Sequence, residues 1–363
     1  MNTSSLFSLG TKAMAASQAA LATTGHNIAN ANVQGYSRQQ AELASAPGQY
    51  SGSGYFGKGV DVTTVSRAHD AFLTREAASA RSLAAMDSSR LELLRELETV
   101  FPGGEQGVGH AAGEFFNAMV DLSAYPADAS TREVVLARAL DVADRFANAG
   151  QRLDALQQRV RDELQAGVAQ INRLSANLAE LNQRIGAAQA LGQPPNDLLD
   201  QRDKLIDQLS QKVTINVIPQ DGGVLNVFIG RGQALVLNEK AATLSLSPDP
   251  YDGSRPRLVL AGSQGDVDVT SALTGGTLGG LLDFRSQVLD PARNDLGRIA
   301  AGLAEAVNTQ HRAGVDLKGA AGTNFFALGP VDTVSRSTNA GNAQVAATLG
   351  SASGLTGADY ELT

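Results

Sequence analysis

The apolar positions of this chain change their spacing three times along its length. In the first thirty residues Phe7, Met14, Leu21 and Ile28 stand seven apart. Leu6, Ala13 and Ala20 fill a neighbouring slot, with Gly10, Ser17 and Thr24 near the seam. This predicts a helix over 5–30 with a broad apolar arc of mostly small residues. Such a seam lets another helix approach closely but buries too little area to hold alone, so the helix wants a partner.

Helical spacing returns from about Arg67 to Phe101, where Leu83, Met86, Leu93, Leu97 and Val100 share a face and Pro102-Gly103-Gly104 ends the element. A second helix over 111–124 turns Phe115, Phe116, Met119 and Leu122 inward. The longest element begins at Ser130, which with Glu133 fits a capping box, and runs without proline to about Ala190. Leu164, Val168, Ile171, Leu174, Leu178, Leu181 and Ile185 recur there at threes and fours, a coiled-coil-like pattern. Sixty helical residues span roughly 90 Å, which predicts a rod. Pro194-Pro195 breaks it, and Asn196 or Asp197 caps a further helix carrying Leu198, Leu199, Leu205, Ile206 and Leu209.

The period then switches to two. Val213/Ile215/Val217, Leu225/Val227/Ile229, Leu235/Leu237, Leu244/Leu246, Leu258/Leu260 and Val267/Val269 predict five or six antiparallel strands, with a turn at Asp221-Gly222-Gly223. Helical signals resume at Gly279, break or restart at Asp290-Pro291, and continue through Leu296, Ile299, Leu303 and Val307 to about His311. Beyond Gly314 the composition is Gly, Ala, Ser and Thr, with Phe325-Phe326 as the strong anchor. Residues 360–363 read as the start of a strand. With no second heptad helix to pair with residues 5–30, the chain is expected to be a fragment of a longer one.

The fold expected is mainly α: an elongated antiparallel helical rod, coiled-coil-like, with an inserted small antiparallel β domain. The domains expected are a heptad helix and signature (1–36), a first rod segment (37–211), the β insert (212–274), a returning rod segment (275–328), and the start of a further outer domain (329–363).

Composition narrows the function. At 363 residues with 43% apolar content the chain builds two or three domains, and with no Trp its cores are aliphatic. A net charge of −8 gives no broad cationic surface, which argues against nucleic-acid binding. The absence of cysteine excludes disulfides, thiol nucleophiles and Cys-type zinc sites. No apolar run reaches the length of a membrane span, and the N-terminus lacks the basic and apolar regions of a cleavable signal.

Candidate chemistry is weak. His26, His69, His110 and His311 show no paired metal-ligand spacing. Gly107 to Gly113 lacks the strand and Lys-Ser/Thr of a phosphate loop and reads as a connector. Asp197, Asp200, Asp203 and Asp207 line one helix and read as a solvated acidic face, with Asp200–Lys204 as an i,i+4 pair. Asp266 and Asp268 are two ligands where Ca²⁺ takes six to eight. No catalytic residue, metal site or cofactor is expected.

The stretch after the first helix is more specific. Asn27-Ile28-Ala29-Asn30, followed by Gly35-Tyr36, puts helix-ending asparagines before a glycine free to take φ > 0 and the start of an extended segment. It resembles the N-terminal signature of the bacterial flagellar axial proteins (rod, hook and hook-associated), with Val33 where Thr is common. Three further stretches resemble the hook-associated protein 1 family: Phe115 to Ser123 with Pro126-Ala127-Asp128 and Arg132; Leu198 to Ser210; and Leu281 to Arg285 with Val307 to His311. Rod and hook proteins turn to β-structure soon after the signature, so the sixty-residue helix sets this chain apart from them.

The resemblance implies a structural protein of the hook–filament junction, exported unfolded through the flagellar type III exporter without a cleavable signal peptide and located outside the cell. The partners it implies are copies of itself in a ring, the hook protein, hook-associated protein 3, and an export chaperone and exporter, with neither nucleic acid nor membrane insertion. Phe7, Met14, Leu21 and Ile28 would form the axial packing interface, and Asn27, Asn30, Gly35 and Tyr36 the signature turn. Two rivals are a type III needle-tip or translocator-like coiled-coil protein, against which the signature argues, and a peptidoglycan-trimming enzyme on a helical scaffold.

Overall fold

The computed structural model describes residues 3–356 apart from 51, 53, 263, 264, 330, 332, 343 and 344. The strand expected at 360–363 lies outside the described residues. The fold is mainly α with small antiparallel sheets. Helix α1 covers Thr3–Asn30, as the heptads predict. The chain then enters strand β1 (Gln39–Ser45), a short hairpin of β2 (Gln49–Tyr50) and β3 (Tyr55–Phe56), and returns in β4 (Val60–Arg67). β1 and β4 pair antiparallel from Gln39 opposite Arg67 to Ser45 opposite Val60.

Five helices follow: α2 (Ala71–Val100), α3 (Val108–Ala124), α4 (Ala129–Gln189), α5 (Asn196–Ser210) and α6 (Gly276–Phe284). Between α5 and α6 lie β5 (Ile215–Pro219), β6 (Leu225–Ile229), β7 (Gln233–Leu237), β8 (Lys240–Ala241), β9 (Leu244–Ser247), β10 (Arg257–Leu260) and β11 (Val267–Asp268). They form sheets in the orders β5-β6-β7-β8 and β11-β10-β9. After α6 a π-helical turn over Arg285–Leu289 leads into α7 (Asp290–Arg312). Helical φ/ψ continue through this junction, so Asp290-Pro291, against expectation, neither breaks nor restarts the helix; Pro291 follows directly on the wider π turn.

The helix starts differ from expectation. Arg67 ends β4 rather than opening α2, because Asp70 caps that helix: its Oδ1 accepts from the N–H groups of Phe72 at 2.9 Å and Leu73 at 3.0 Å. At α4 the cap is Asp128, not Ser130. Its carboxylate accepts from the Thr131 N–H and hydroxyl, both at 2.9 Å, and the backbone bond leads in holding its pKa below the usual carboxylate range. At α5 neither Asn196 nor Asp197 caps; the N-cap position is Pro195, and the Asn196 side chain donates to the Val65 carbonyl at 2.6 Å.

The chain divides into two compact units. The first comprises residues 1–85, 167–245 and 259–276. Its core takes Val168, Ile171, Leu174, Leu178, Leu181 and Ile185 from α4 and Leu199, Ile206 and Leu209 from α5, all buried. Asparagines join the β insert to α4. Asn182, fully buried, accepts the Leu225 N–H at 3.2 Å and donates to the carbonyls of Leu225 at 2.8 Å and Asn238 at 2.7 Å. Asn172 exchanges the same pair of bonds with Leu244, at 2.9 and 2.7 Å. Asn172 takes the place of a strand neighbour on β9, the edge of its sheet, whereas Asn182 binds the start of β6 and the residue after β7, beyond the stretch where those two strands pair.

The second unit comprises residues 86–166, 246–258 and 277–363. Phe115, Ala118, Val135, Val142 and Val307 form one buried cluster, and Phe325 and Phe326 pack on it. Asn308 anchors that pair, accepting from both N–H groups at 2.7 and 2.8 Å and donating to the Phe326 carbonyl at 2.9 Å. Phe116, expected inward with Phe115, is 49% exposed, since adjacent helical positions point about 100° apart. Leu83 and Ile299 are also exposed. At α2 the inward position is Ser82, bonded to Thr214 at 3.1 Å, because a 3.6-residue turn drifts away from a strict heptad.

Candidate functional site at the exit of the first helix

The four seam residues of α1 face outward, with Phe7 76%, Met14 64%, Leu21 71% and Ile28 73% exposed. Ala16, on another face, is buried, and Lys12 pairs with Asp61 of β4 at 2.7 Å. Leu9 lies against Gly59, whose φ of +87° favours glycine. One side of α1 thus rests on the β1–β4 ribbon while its apolar seam is left open.

The signature residues come together where α1 ends. Asn27 is the hub: its Oδ1 accepts from the Tyr36 hydroxyl at 2.7 Å and the Gln39 N–H at 2.8 Å, and its Nδ2 donates to the Gln39 carbonyl at 2.8 Å. The amide side chain therefore binds the first residue of β1 as another strand would. Burial, then the charges of Asp197 and Asp200, push the Tyr36 pKa upward, favouring the protonated phenol that donates to Asn27. Gly35 takes φ +88° and turns the chain back. Asn30 is more peripheral. It donates to the His26 carbonyl at 3.0 Å, and the His26 ring stands edge-on to Tyr36 at 5.5 Å.

The acidic stripe of α5 is not the solvated face that its spacing predicts. Asp200 is buried; its Oδ2 accepts the Ser37 N–H at 2.9 Å and its Oδ1 accepts from Arg67 Nη1 at 2.8 Å. Arg67 also pairs with Asp203 at 2.7 Å, and Asp203 with Arg202 at 2.9 Å and His69 at 3.2 Å. Asp197 accepts from the Gln39 side chain at 3.1 Å, and Asp207 pairs with Arg81. Rather than completing an i,i+4 pair with Asp200, Lys204 packs its stem on Gly35. The stripe thus receives the exit turn, β1, β4 and α2. Position counting predicts the carboxylates; apart from Arg202, which adjoins Asp203, the partners named here lie more than a hundred residues away in sequence, and only the fold identifies them.

The cluster is charge-balanced, with Arg67 and Arg202 against Asp200 and Asp203. A protonated His69 would add a surplus cation. Burial first, then the Arg67 charge, lowers the His69 pKa despite the opposing effect of Asp203. The fold therefore favours neutral imidazole. This contribution is present above the unfolded pKa of about 6.5 and is lost as pH falls through the lower folded value. Urea melts between pH 7 and pH 5 should show this unit weakening on acidification, with a smaller loss in His69→Gln; equal losses would contradict the assignment.

Among the described residues no group of three or more His, Asp or Glu is placed to hold a metal ion, and no helix is long and apolar enough to cross a membrane. The arrangement joins the exit turn, β1, β4 and α2 to α5.

A sequence model described as "Flagellar hook-associated protein FlgK helical domain" matches residues 94–326, more than half the chain. The chain belongs to the FlgK family. A second model, "Flagella basal body rod protein", matches residues 8–36, the helix and signature just described. "Flagellar hook-associated protein 1" of Escherichia coli K12 is 34% identical over 364 aligned residues, covering 99% of this chain. The Bacillus subtilis protein of that name is 30% identical over 347 residues, covering 87% of the chain and 68% of its own length. The chain spans 66% of the length of the E. coli relative and 62% of that of the Salmonella typhimurium one. A solved structure, "The structure of the flagellar hook junction protein FlgK from Burkholderia pseudomallei", superposes with TM-score 0.70 at 31% identity, covering 78% of this chain and 51% of that one.

Proposed function

We propose that this chain is a structural component of the bacterial flagellum that self-assembles at the hook–filament junction and supports filament growth beyond it. The observation that carries this reading is the open seam of α1. Four large apolar side chains seven residues apart stay exposed on a helix whose exit is held by at least six hydrogen bonds and ion pairs. A soluble monomer gains nothing from holding such a helix rigidly; an assembly that packs it against other helices does.

In this reading Phe7, Met14, Leu21 and Ile28 pack in the axial core, against further copies of the chain. Asn27, Asn30, Gly35 and Tyr36 form the turn between that core and the remainder of the first unit. The hook protein and hook-associated protein 3 are the neighbours on either side, and an export chaperone and the flagellar exporter deliver the chain outside the cell without a cleavable signal. The function is mechanical, and the chain needs no catalytic group or cofactor. Similarity to relatives named as hook-associated and hook junction proteins supports the placement. The test is complementation: the full-length gene expressed in a junction-deficient strain, with hooks imaged by electron microscopy. Filaments on the hooks are expected. Bare hooks despite confirmed secretion would contradict the proposal.

A further inference from the structure

We propose that Asp200 is a positioning residue for the first helix, acting as a latch that fixes the direction in which α1 leaves the first unit. The exit turn is held at two points. From α1, Asn27 binds the backbone of Gln39. From α5, Asp200 binds the backbone N–H of Ser37, two residues earlier. The clamp from α1 joins helix, turn and β1 into one group but leaves the turn itself unattached to α5. The bond to Ser37 ties that group to a helix whose own apolar face is buried in the core of the unit.

The Asp200 side chain is 9% exposed, as is that of Arg67, and each Asp200 oxygen has its own partner. Arg67 holds the carboxylate in place while being held by Asp203. The charge thus orients the acceptor, and the acceptor orients the turn. Asn196 of α5 also donates to the Val65 carbonyl of β4 at 2.6 Å, whereas the contact from α5 to α1 is exposed: Asp197 is 66% exposed and stands 3.6 Å from His26. The role of Asp200 in assembly rests on the function proposed above; the latch itself does not.

The experiment uses the full-length protein and reads trypsin cleavage after Arg38, an exposed residue beside Ser37, together with amide exchange at Ser37. Asp200→Ala should speed cleavage at Arg38 about tenfold and release the Ser37 amide, while amides of α4 around Leu178 stay protected. Asp200→Asn keeps an oxygen for Ser37 and leaves Arg67 its bond to Asp203, so cleavage should stay within about threefold of the parent. An unchanged rate in the Ala variant would overturn the latch. So would equal rates in the Ala and Asn variants, because the residue would then act only as a charge on Arg67. Attached filaments should also be reduced about tenfold by Asp200→Ala in secreting cells. Normal filaments with a loosened Arg38 would overturn the positioning role in assembly and leave the proposed function standing. Bare hooks with the unsubstituted gene would strike the function and leave the proteolysis result intact.

Discussion

Replacing Met14 and Leu21 together by Asp in the full-length protein should abolish filament attachment while leaving the folded chain close to its original stability. In the free molecule both side chains lie mostly in water, at 64% and 71% exposure, so their loss removes little packing. The cost to helix propensity is at most about 0.7 kcal/mol per Asp. In an assembled seam the same positions would be dry. Each substitution there forgoes about 1.5–3 kcal/mol of apolar burial and adds an unpaired carboxylate that resists desolvation. The penalty recurs at every subunit contact, so assembly should fail altogether. The readouts are electron micrographs of hooks, swimming, and a thermal melt of the secreted protein. Attached, motile filaments would show that Met14 and Leu21 do not pack in the axis.

Arg67→Ala should produce the largest loss of stability at the exit junction, about 3–5 kcal/mol. Arg67 is 9% exposed and bridges Asp200 at 2.8 Å and Asp203 at 2.7 Å. Removing it leaves Asp200 buried without its cation and Asp203 with Arg202 and the His69 ring. Arg159 provides a contrast within the second unit. It pairs with three carboxylates, Glu92, Glu96 and Glu163, but its side chain is 37% exposed. Water screens those pairs, and Arg159→Ala should cost only about 1 kcal/mol. Burial, not the number of partners, decides the ranking. Hydrogen exchange in urea separates the two sites within one protein, and equal losses at both would contradict it.

The contrast also marks what could be read from residues alone. Periodicity located α1, the long α4 helix and the switch to strands, because a buried face imposes its spacing on the sequence. The signature turn was legible through Asn27, Gly35 and Tyr36, whose residue types suit a helix end and a φ of +88°. The acidic stripe was not, since i,i+3 carboxylates look the same whether they meet water or arginines brought in by the fold. The anchoring roles of Asn172, Asn182 and Asn308 are hidden for a related reason: a polar residue among apolar ones reads as solvent-facing until a strand or loop is placed against it. The capping-box pattern of Ser130 and Glu133 points to the wrong residue because the carboxylate of Asp128, two residues earlier, is the stronger acceptor for the Thr131 N–H.

The central claim is that the seam of α1 is covered only on assembly. This chain has no cysteine, so a single Leu21→Cys substitution introduces a unique probe into it. Leu191→Cys, at a position 86% exposed, serves as the control. The measurement is maleimide labelling of each variant as secreted monomer and within isolated hook–filament structures. The account predicts that Cys at 21 labels in the monomer and is protected on assembly, while Cys at 191 labels in the monomer. Equal labelling of position 21 in both states would mean that the seam stays open to water and that the first helix does not build the axis.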